Sequence, residues 1–302
     1  MPTTVVAPAS NTIGLAARYV PLLDQAYAQD SRTAILDTAQ EFVQFTGANT
    51  VNIFNIDPVG MSDYDRDAGY VPGDVVGAWQ PYALEVDRGR SYQVDYLDNE
   101  ESLGLVAANL LGVVEREKII PEIDAYRFAQ YASGAAAAQV ATETLTTGAA
   151  TLASIDGATE ALDNAEVPYE GRILFVSPGT YKLIKGGITR MIMNGDDNVN
   201  YNVDMLNDMR VITVPAGRFN TAVTLNAPTA SNGAGGFTAT GDAINYMIVH
   251  PSAILQVMKH YAPRFFTPAQ NIEADAWRIQ PRFAHGAWVK THKTNGIYVS
   301  HA

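Results

Sequence analysis

Three aspartates at alternate positions open the chemical reading of this chain. In the stretch DYDRDAGYVPGD, Asp63, Asp65 and Asp67 occupy positions 1, 3 and 5 of a calcium-loop pattern, and Asp74 falls at position 12. A hard cation takes oxygen ligands from alternate residues because a tight loop turns them toward one centre. The pattern also asks for Gly at position 6 and Glu at position 12, where this chain has Ala68 and Asp74, and no helices are predicted to flank it. An acidic, solvated loop tip is the favoured reading, with calcium as the alternative.

Other chemistry is weaker still. His250, His260, His285, His292 and His301 are scattered without the helical spacing of a metal pair, and His250 before Pro251 reads as a strand-end packing residue. Ser177 follows the apolar run RILFV, but Phe175 stands where a nucleophile elbow needs glycine, so Ser177 reads as a helix cap before Pro178. The glycines of residues 233–236 come with no Lys and no strand-turn-helix context, and do not make a phosphate cradle. Glu100 and Glu101 are neighbours on a predicted helix and cannot face each other as an acid–base pair. The chain has no Cys, which removes disulfides, thiolate metal sites and cysteine nucleophiles. Neither an enzyme nor a bound cofactor is called for by these residues.

The totals point the same way. The 302 residues carry 20 Lys plus Arg against 32 Asp plus Glu, a net charge of −12 that disfavours a dedicated grip on nucleic-acid phosphate. No Lys precedes Lys118, so positive charge before it comes from Arg, which suits planar pairing with carboxylates on proteins. No run is long and apolar enough for a membrane span, and residues 1–20 lack the plan of a signal peptide.

The elements that must carry these residues follow an unusual order. An arm opens the chain, with a helix predicted over residues 33–45. TVNIF and VVGAWQPYALEV then form two limbs around the acidic loop, an excursion that cannot bury itself alone. From Asp98 the sequence predicts a long amphipathic helix, capped by Asp98 or Asn99, with Leu103, Val106, Ala107, Leu110, Leu111 and Val114 on one face. Pro121 must kink or break it; unbroken to Tyr131 it would span about 48 Å. A compact α/β unit follows over residues 140–250, with a helix over 152–164, strands at RILFVS, RVITVP and INYMIV, a helix from Pro178 and two polar loops. Strand patterns AWRIQPRF, GAWVKTH and GIYVSH end it.

Residues 79–101, WQPYALEVDRGRSYQVDYLDNEE, decide how the parts connect. Asp87-Arg88-Gly89-Arg90 looks like a turn, yet Tyr82, Leu84, Val86, Arg88, Arg90, Tyr92, Val94 and Tyr96 share one parity. Unbroken parity predicts a single strand over residues 80–97, about 60 Å long, with Gly89 as a bulge or bend. A strand of that length with Arg88 and Arg90 on its apolar face, Glu85 and Asp87 on the other, and Trp79 and Tyr92 along it suggests a neighbour from another chain. Trp79, Glu85, Asp87, Arg88, Arg90 and Tyr92 are therefore the expected intersubunit contacts.

The wording as well as the order resembles the major capsid proteins of tailed bacteriophages, the fold named after bacteriophage Hong Kong ninety-seven. FTGANTVNI, LEVDRGRSYQVDYLDNEE and VVEREKIIPEIDAYRFAQ look like that family's excursion-to-helix region. VPYEGRILFVSPGTYKLI, INYMIVHPSA and ADAWRIQPRFAHGAWV look like its second half, so the likeness covers most of residues 46–289. It implies an α+β fold with an N-terminal arm at 1–45 and an extended β-hairpin loop at 46–97. A spine helix with the peripheral domain would follow at 98–139, an axial α/β domain at 140–250 and return strands completing the peripheral domain at 251–302.

By the same resemblance, the chain would be a structural subunit assembling with itself as pentamers and hexamers into an icosahedral shell around double-stranded DNA. It would be made in the bacterial host's cytoplasm and end in the virion. A separate scaffolding protein (or one removed from a longer precursor), a portal protein and in some shells a decoration protein would be its partners. Some relatives lock the shell through an extended-loop Lys; with no Lys before Lys118, a non-covalent shell is expected. An encapsulin compartment shares the architecture and is the second reading; an α/β enzyme is the third.

Overall fold

The computed structural model describes residues 30–37, 50–67, 69–102, 105–188, 203–227 and 235–302. The arm up to residue 29, most of the helix predicted over 33–45 and much of the two polar loops lie outside these. Within them, Ala34–Leu36 form one 3-10 turn.

Strand β1 (Thr50–Pro58) and strand β2 (Val75–Ala83) pair antiparallel over nine residues, from Thr50 opposite Ala83 to Pro58 opposite Val75. The two-limbed excursion is thus a two-stranded ribbon with the acidic loop at its far end. The chain continues as β3 (Val86–Gly89) and β4 (Tyr92–Asp95). Helix α1 (Tyr96–Glu101) is capped by Asp95, whose carboxylate accepts from the Leu97 N–H, in place of the predicted Asp98 or Asn99.

Helix α2 (Leu105–Val114) passes through a π-turn, Glu115–Ile119, into helix α3 (Ile120–Gly134). Of the kink or break predicted at Pro121, the break is absent, since the chain stays helical through it. The π-turn changes the i→i−4 ladder just before the proline, and Pro121 then falls in the first turn of α3, where its missing N–H costs least.

Strand β5 (Val140–Thr142), helix α4 (Gly148–Asn164), strand β6 (Ile173–Val176), helix α5 (Pro178–Gly187) and strands β7 (Met205–Leu206) and β8 (Met209–Thr213) follow. Strands β9 (Val223–Leu225) and β10 (Phe237–Ala239) make a small hairpin, and β11 is Ile244–Val249. The chain closes with β12 (Ile254–Tyr261), β13 (Arg264–Phe266), β14 (Ala276–Gln280), β15 (Arg282–Val289) and β16 (Ile297–His301). The sequence reading left β5, β7, β9, β10, β12 and β13 unassigned.

The main sheet runs β5-β16-β11-β6-β8-β7. Its central strands are apolar without alternation because both faces are covered. Leu174, Val176, Tyr246 and Ile248 pack under α4 and α5 with Ile155, Ala158, Leu162 and Ile184. Ile173, Phe175, Met247 and Val249 face the other way, onto Phe128 and Tyr131 of α3. Phe128 sits edge-on to Phe175 and Phe219 at 5.2 and 5.0 Å. The start of α4 and the end of α5 approach so closely that a Cβ on Gly148 would stand 2.4 Å from the Gly187 nitrogen, so a larger residue at 148 would force the helices apart. Strand β16 joins this sheet between β5 and β11, whereas the sequence reading had grouped it with the other return strands.

The remaining strands form two three-stranded sheets of matching order, β12-β15-β3 and β13-β14-β4. They are one ribbon of three strands interrupted at a single level. Ala262-Pro263, Pro281 and Arg90-Ser91 separate the paired segments there, and two prolines without N–H groups stop the ladder. The Arg90 N–H donates to Pro281 O and the Ala262 N–H to Arg282 O across the gap.

Candidate functional site

Residues 79–101 are neither a tight hairpin nor the single strand predicted over 80–97. The strand breaks at Leu84-Glu85, where it leaves the ribbon, and again at Arg90-Ser91, where it changes sheet. Its parity holds in part: Tyr82, Val86 and Val94 are buried, Leu84, Arg88 and Tyr92 half-buried, and Glu85, Asp87, Gln93 and Asp95 exposed, but Arg90 and Tyr96, predicted on the covered face, are exposed as well. Alternation reports which face is covered; it carries no information on which strand lies alongside.

The covering partners are mostly in the same chain. The Arg88 guanidinium lies 2.5 Å from a Glu122 carboxylate oxygen of α3 and also donates to the carbonyls of Asn226 and Gly236, each at 3.1 Å. Glu122 is buried, and desolvation raises its pKa against the opposing pull of Arg88. Asp87 accepts a bidentate pair from Arg282 at 2.9 and 2.6 Å; that hydrogen bonding holds its carboxyl below the ordinary value. Tyr92 packs against Val114, Ile119, Ile123 and Phe283. Arg88, Asp87 and Tyr92, expected to bind a neighbouring chain, also have partners within this one, and tie β3 and β4 to α3 and β15. The apolar face sought a partner, and residues 122–283 supply it at a sequence distance that local reading does not span.

The ribbon is different. Trp79 is 64% exposed, and its ring lies 5.0 Å from that of Phe54 across the pair. Ile56, Val75 and Val76 on the strands and Met61, Tyr64, Tyr70 and Val71 at the tip are exposed as well. Only the base is anchored, where Val51 and Tyr82 meet Leu255 and Val257.

The calcium candidates are not brought together. Among the described residues no three acidic or histidine side chains converge as a cation would require. Asp65 accepts from the Asp67 N–H at 2.8 Å and Asp74 from the Val75 N–H at 3.0 Å, so two of the four carboxylates hold local turns. Ser177 caps α5, accepting from the Thr180 N–H, and His250 caps the turn at Pro251–Ala253 through Ser252 while its Nε2 lies 3.2 Å from Glu170 O.

Two polar groupings went unread in the sequence. Asp124, fully buried on α3, accepts from the Ser31 and Thr33 hydroxyls at 2.7 Å each and from the Arg32 N–H at 2.9 Å. Arg218 pairs with it at 3.4 Å, while Arg127 donates to Thr33 and Gln256 donates to Thr33 O and Asp37. This clasp fastens residues 31–37 of the arm to the helix. Charges at 122, 124 and 127 inside an otherwise apolar helical segment were its available signal. His285 on β15 is fully buried between Tyr126 and Phe283, and neither ring nitrogen finds a hydrogen-bond partner among the described residues. Burial, helped by Arg127 and Arg88, pushes its pKa down to about 3, so the ring is neutral.

No family model and no curated protein matches this sequence. Solved structures do match. A chain of the cyanophage P-SCSP1u capsid superposes with a TM-score of 0.67 at 11% identity, covering 95% of this chain and 92% of that one. One from the mature capsid of bacteriophage PhiM1 gives 0.66 at 14% identity, with 95% and 91% covered. One from Mycobacterium phage Che8 gives 0.59 at 14%, with 96% and 98% covered. The fold of this chain is the α+β major capsid fold of tailed phages.

Proposed function

We propose that the chain is a phage major capsid protein, a structural subunit that assembles with itself as hexamers and pentamers into an icosahedral shell around double-stranded DNA. The ribbon is the observation that carries this reading. A nine-pair hairpin with Trp79, Ile56, Val75 and Val76 exposed has an apolar surface far larger than its own anchoring needs. On a chain with a capsid fold, the natural cover is another copy, with the ribbon as the extended loop. The acidic balance suits a container, since a basic lining would bind the genome tightly and hinder its release. The shell is non-covalent in this proposal: the ribbon and everything before Lys118 lack the Lys that an amide cross-link would use. A scaffolding protein, a portal protein and a decoration protein are the partners it anticipates, and the virion is its destination.

Expression of the chain alone and imaging of the purified product tests the proposal. Closed shells or capsomer rings of megadalton mass are expected, dissolving to a single band when heated in denaturant. A monomer or dimer would overturn the shell reading. A ladder of covalent multimers would overturn the non-covalent part, and small cages filled with enzyme cargo would favour a compartment over a virion.

A further inference from the structure

Strands β9 and β10 pair with each other and, among the described residues, with no other strand. Their hairpin is rooted beside the main sheet, where the Ile244 N–H at the start of β11 donates to Phe219 O and the Thr221 N–H donates to Asp242 O. Its far end closes where the Asn226 N–H donates to Gly236 O at 2.9 Å. Gly235 and Gly236 have φ of +55° and +72° there, a left-handed backbone that glycine adopts without strain.

That far end is held from a different sheet. Arg88, on the edge strand β3, donates through Nη1 to Asn226 O and through Nη2 to Gly236 O, each at 3.1 Å. The same guanidinium meets Glu122 of α3, with Nε 2.5 Å from one carboxylate oxygen and Nη2 3.3 Å from the other. One planar group thus ties an edge strand, a helix and a hairpin together. Its N–H directions are fixed, so it cannot follow one partner without leaving another. Glu122 is buried, and a buried carboxylate parted from its cation is costly, which holds the plane where it is. The ribbon leaves the body at Leu84-Glu85, just ahead of β3.

We infer that Arg88 couples the β9–β10 hairpin to the root of the ribbon, so that loosening either one loosens the other. A load on the ribbon, whatever applies it, reaches the hairpin through one side chain. Coupling of this kind acts equally in both directions. It is a property of the single subunit, and its readout does not depend on particle formation.

Hydrogen exchange read by mass spectrometry in the purified full chain is the test, each variant compared with the unaltered chain in the same assembly state. Arg88→Lys keeps a positive charge opposite Glu122 and removes the planar fork. Exchange is expected to speed up at least about tenfold in residues 223–226 and 236–239 and in residues 86–89, with β6 and β11 changed by less than about twofold. Arg88→Ala should act on the same residues at least as strongly; if it does not fold, Arg88→Lys carries the test alone. From the other side, Asn226→Pro removes the N–H that closes the hairpin, and should speed exchange in residues 86–89 at least about threefold. Unchanged hairpin exchange in Arg88→Lys would overturn the inference. So would acceleration spread equally over β6 and β11, which marks a general loss of stability, or a β3 that does not respond to Asn226→Pro.

Discussion

The six-stranded sheet and the β1–β2 ribbon use similar apolar residues to opposite ends. In the sheet, all four residues of β6 are buried, because α4 and α5 cover one face and α3 the other. In the ribbon, seven of the nine residues of β2 counted from Val75 are exposed, and only Tyr82 is buried. The sheet is a finished object; the ribbon is half of one. Hydrophobic content alone does not separate them, since burial depends on whether the same chain supplies a second layer.

The contrast breaks most visibly at Phe175. Phe175→Ala removes a ring packed against Phe128 and should cost about 3 to 5 kcal/mol, read by chemical denaturation of the subunit. If it costs under 1, the sheet is not the finished core described here. Arg88 sits where the ribbon's chain joins the body, and Arg88→Ala should cost about 2 to 3 kcal/mol by leaving Glu122 buried without its cation. Pairing it with Glu122→Gln should recover about half, whereas strict additivity would mean that the pair does not hold the joint.

His285 sharpens the comparison through pH. Its folded-state pKa is depressed from 6.5 to about 3, so the unfolded chain binds the extra proton between those values. The neutral ring's contribution is complete above pH 6.5 and is lost as the pH falls. Between pH 7 and 5 the subunit should lose about 2 kcal/mol through this group, and His285→Phe should flatten that slope in melts at the two pH values. The smallest effect on the subunit belongs to Trp79. Trp79→Ala should change its stability by less than about 1 kcal/mol, since the ring is mostly exposed beside Phe54, yet it should abolish or slow particle formation measured by light scattering.

What could be read in advance follows the same division. Helices α4 and α5, the Ser177 cap and strands β6, β8 and β11 were legible because their signals are local: periodicity, a capping hydroxyl, a proline at the first turn. The ribbon was legible as two limbs around a polar tip. The course of residues 80–97 was not, because its break at Arg90-Ser91 lies at the level of Pro263 and Pro281, remote in sequence and adjacent in space. Glu122 and Asp124 were missed for a related reason. A buried carboxylate is interpretable only with its partners, and Arg88, Arg218 and Thr33 lie 34 to 94 residues away. The π-turn ahead of Pro121 shows the limit of a local rule: a proline that should break a helix is absorbed when the turn before it changes pitch.

The place of β16 bears on the order of events during synthesis. Its partners β5 and β11 are made up to about 160 residues earlier, yet they meet only through Ile297–His301. A nascent chain halted before Ile297 holds β11 with one edge bare and β5 without any partner in the sheet. The ribbon, by contrast, can pair as soon as residue 83 has left the ribosome. Each chain therefore exposes its apolar hairpin long before its sheet can close, and half-made chains must be kept apart until the last strand arrives.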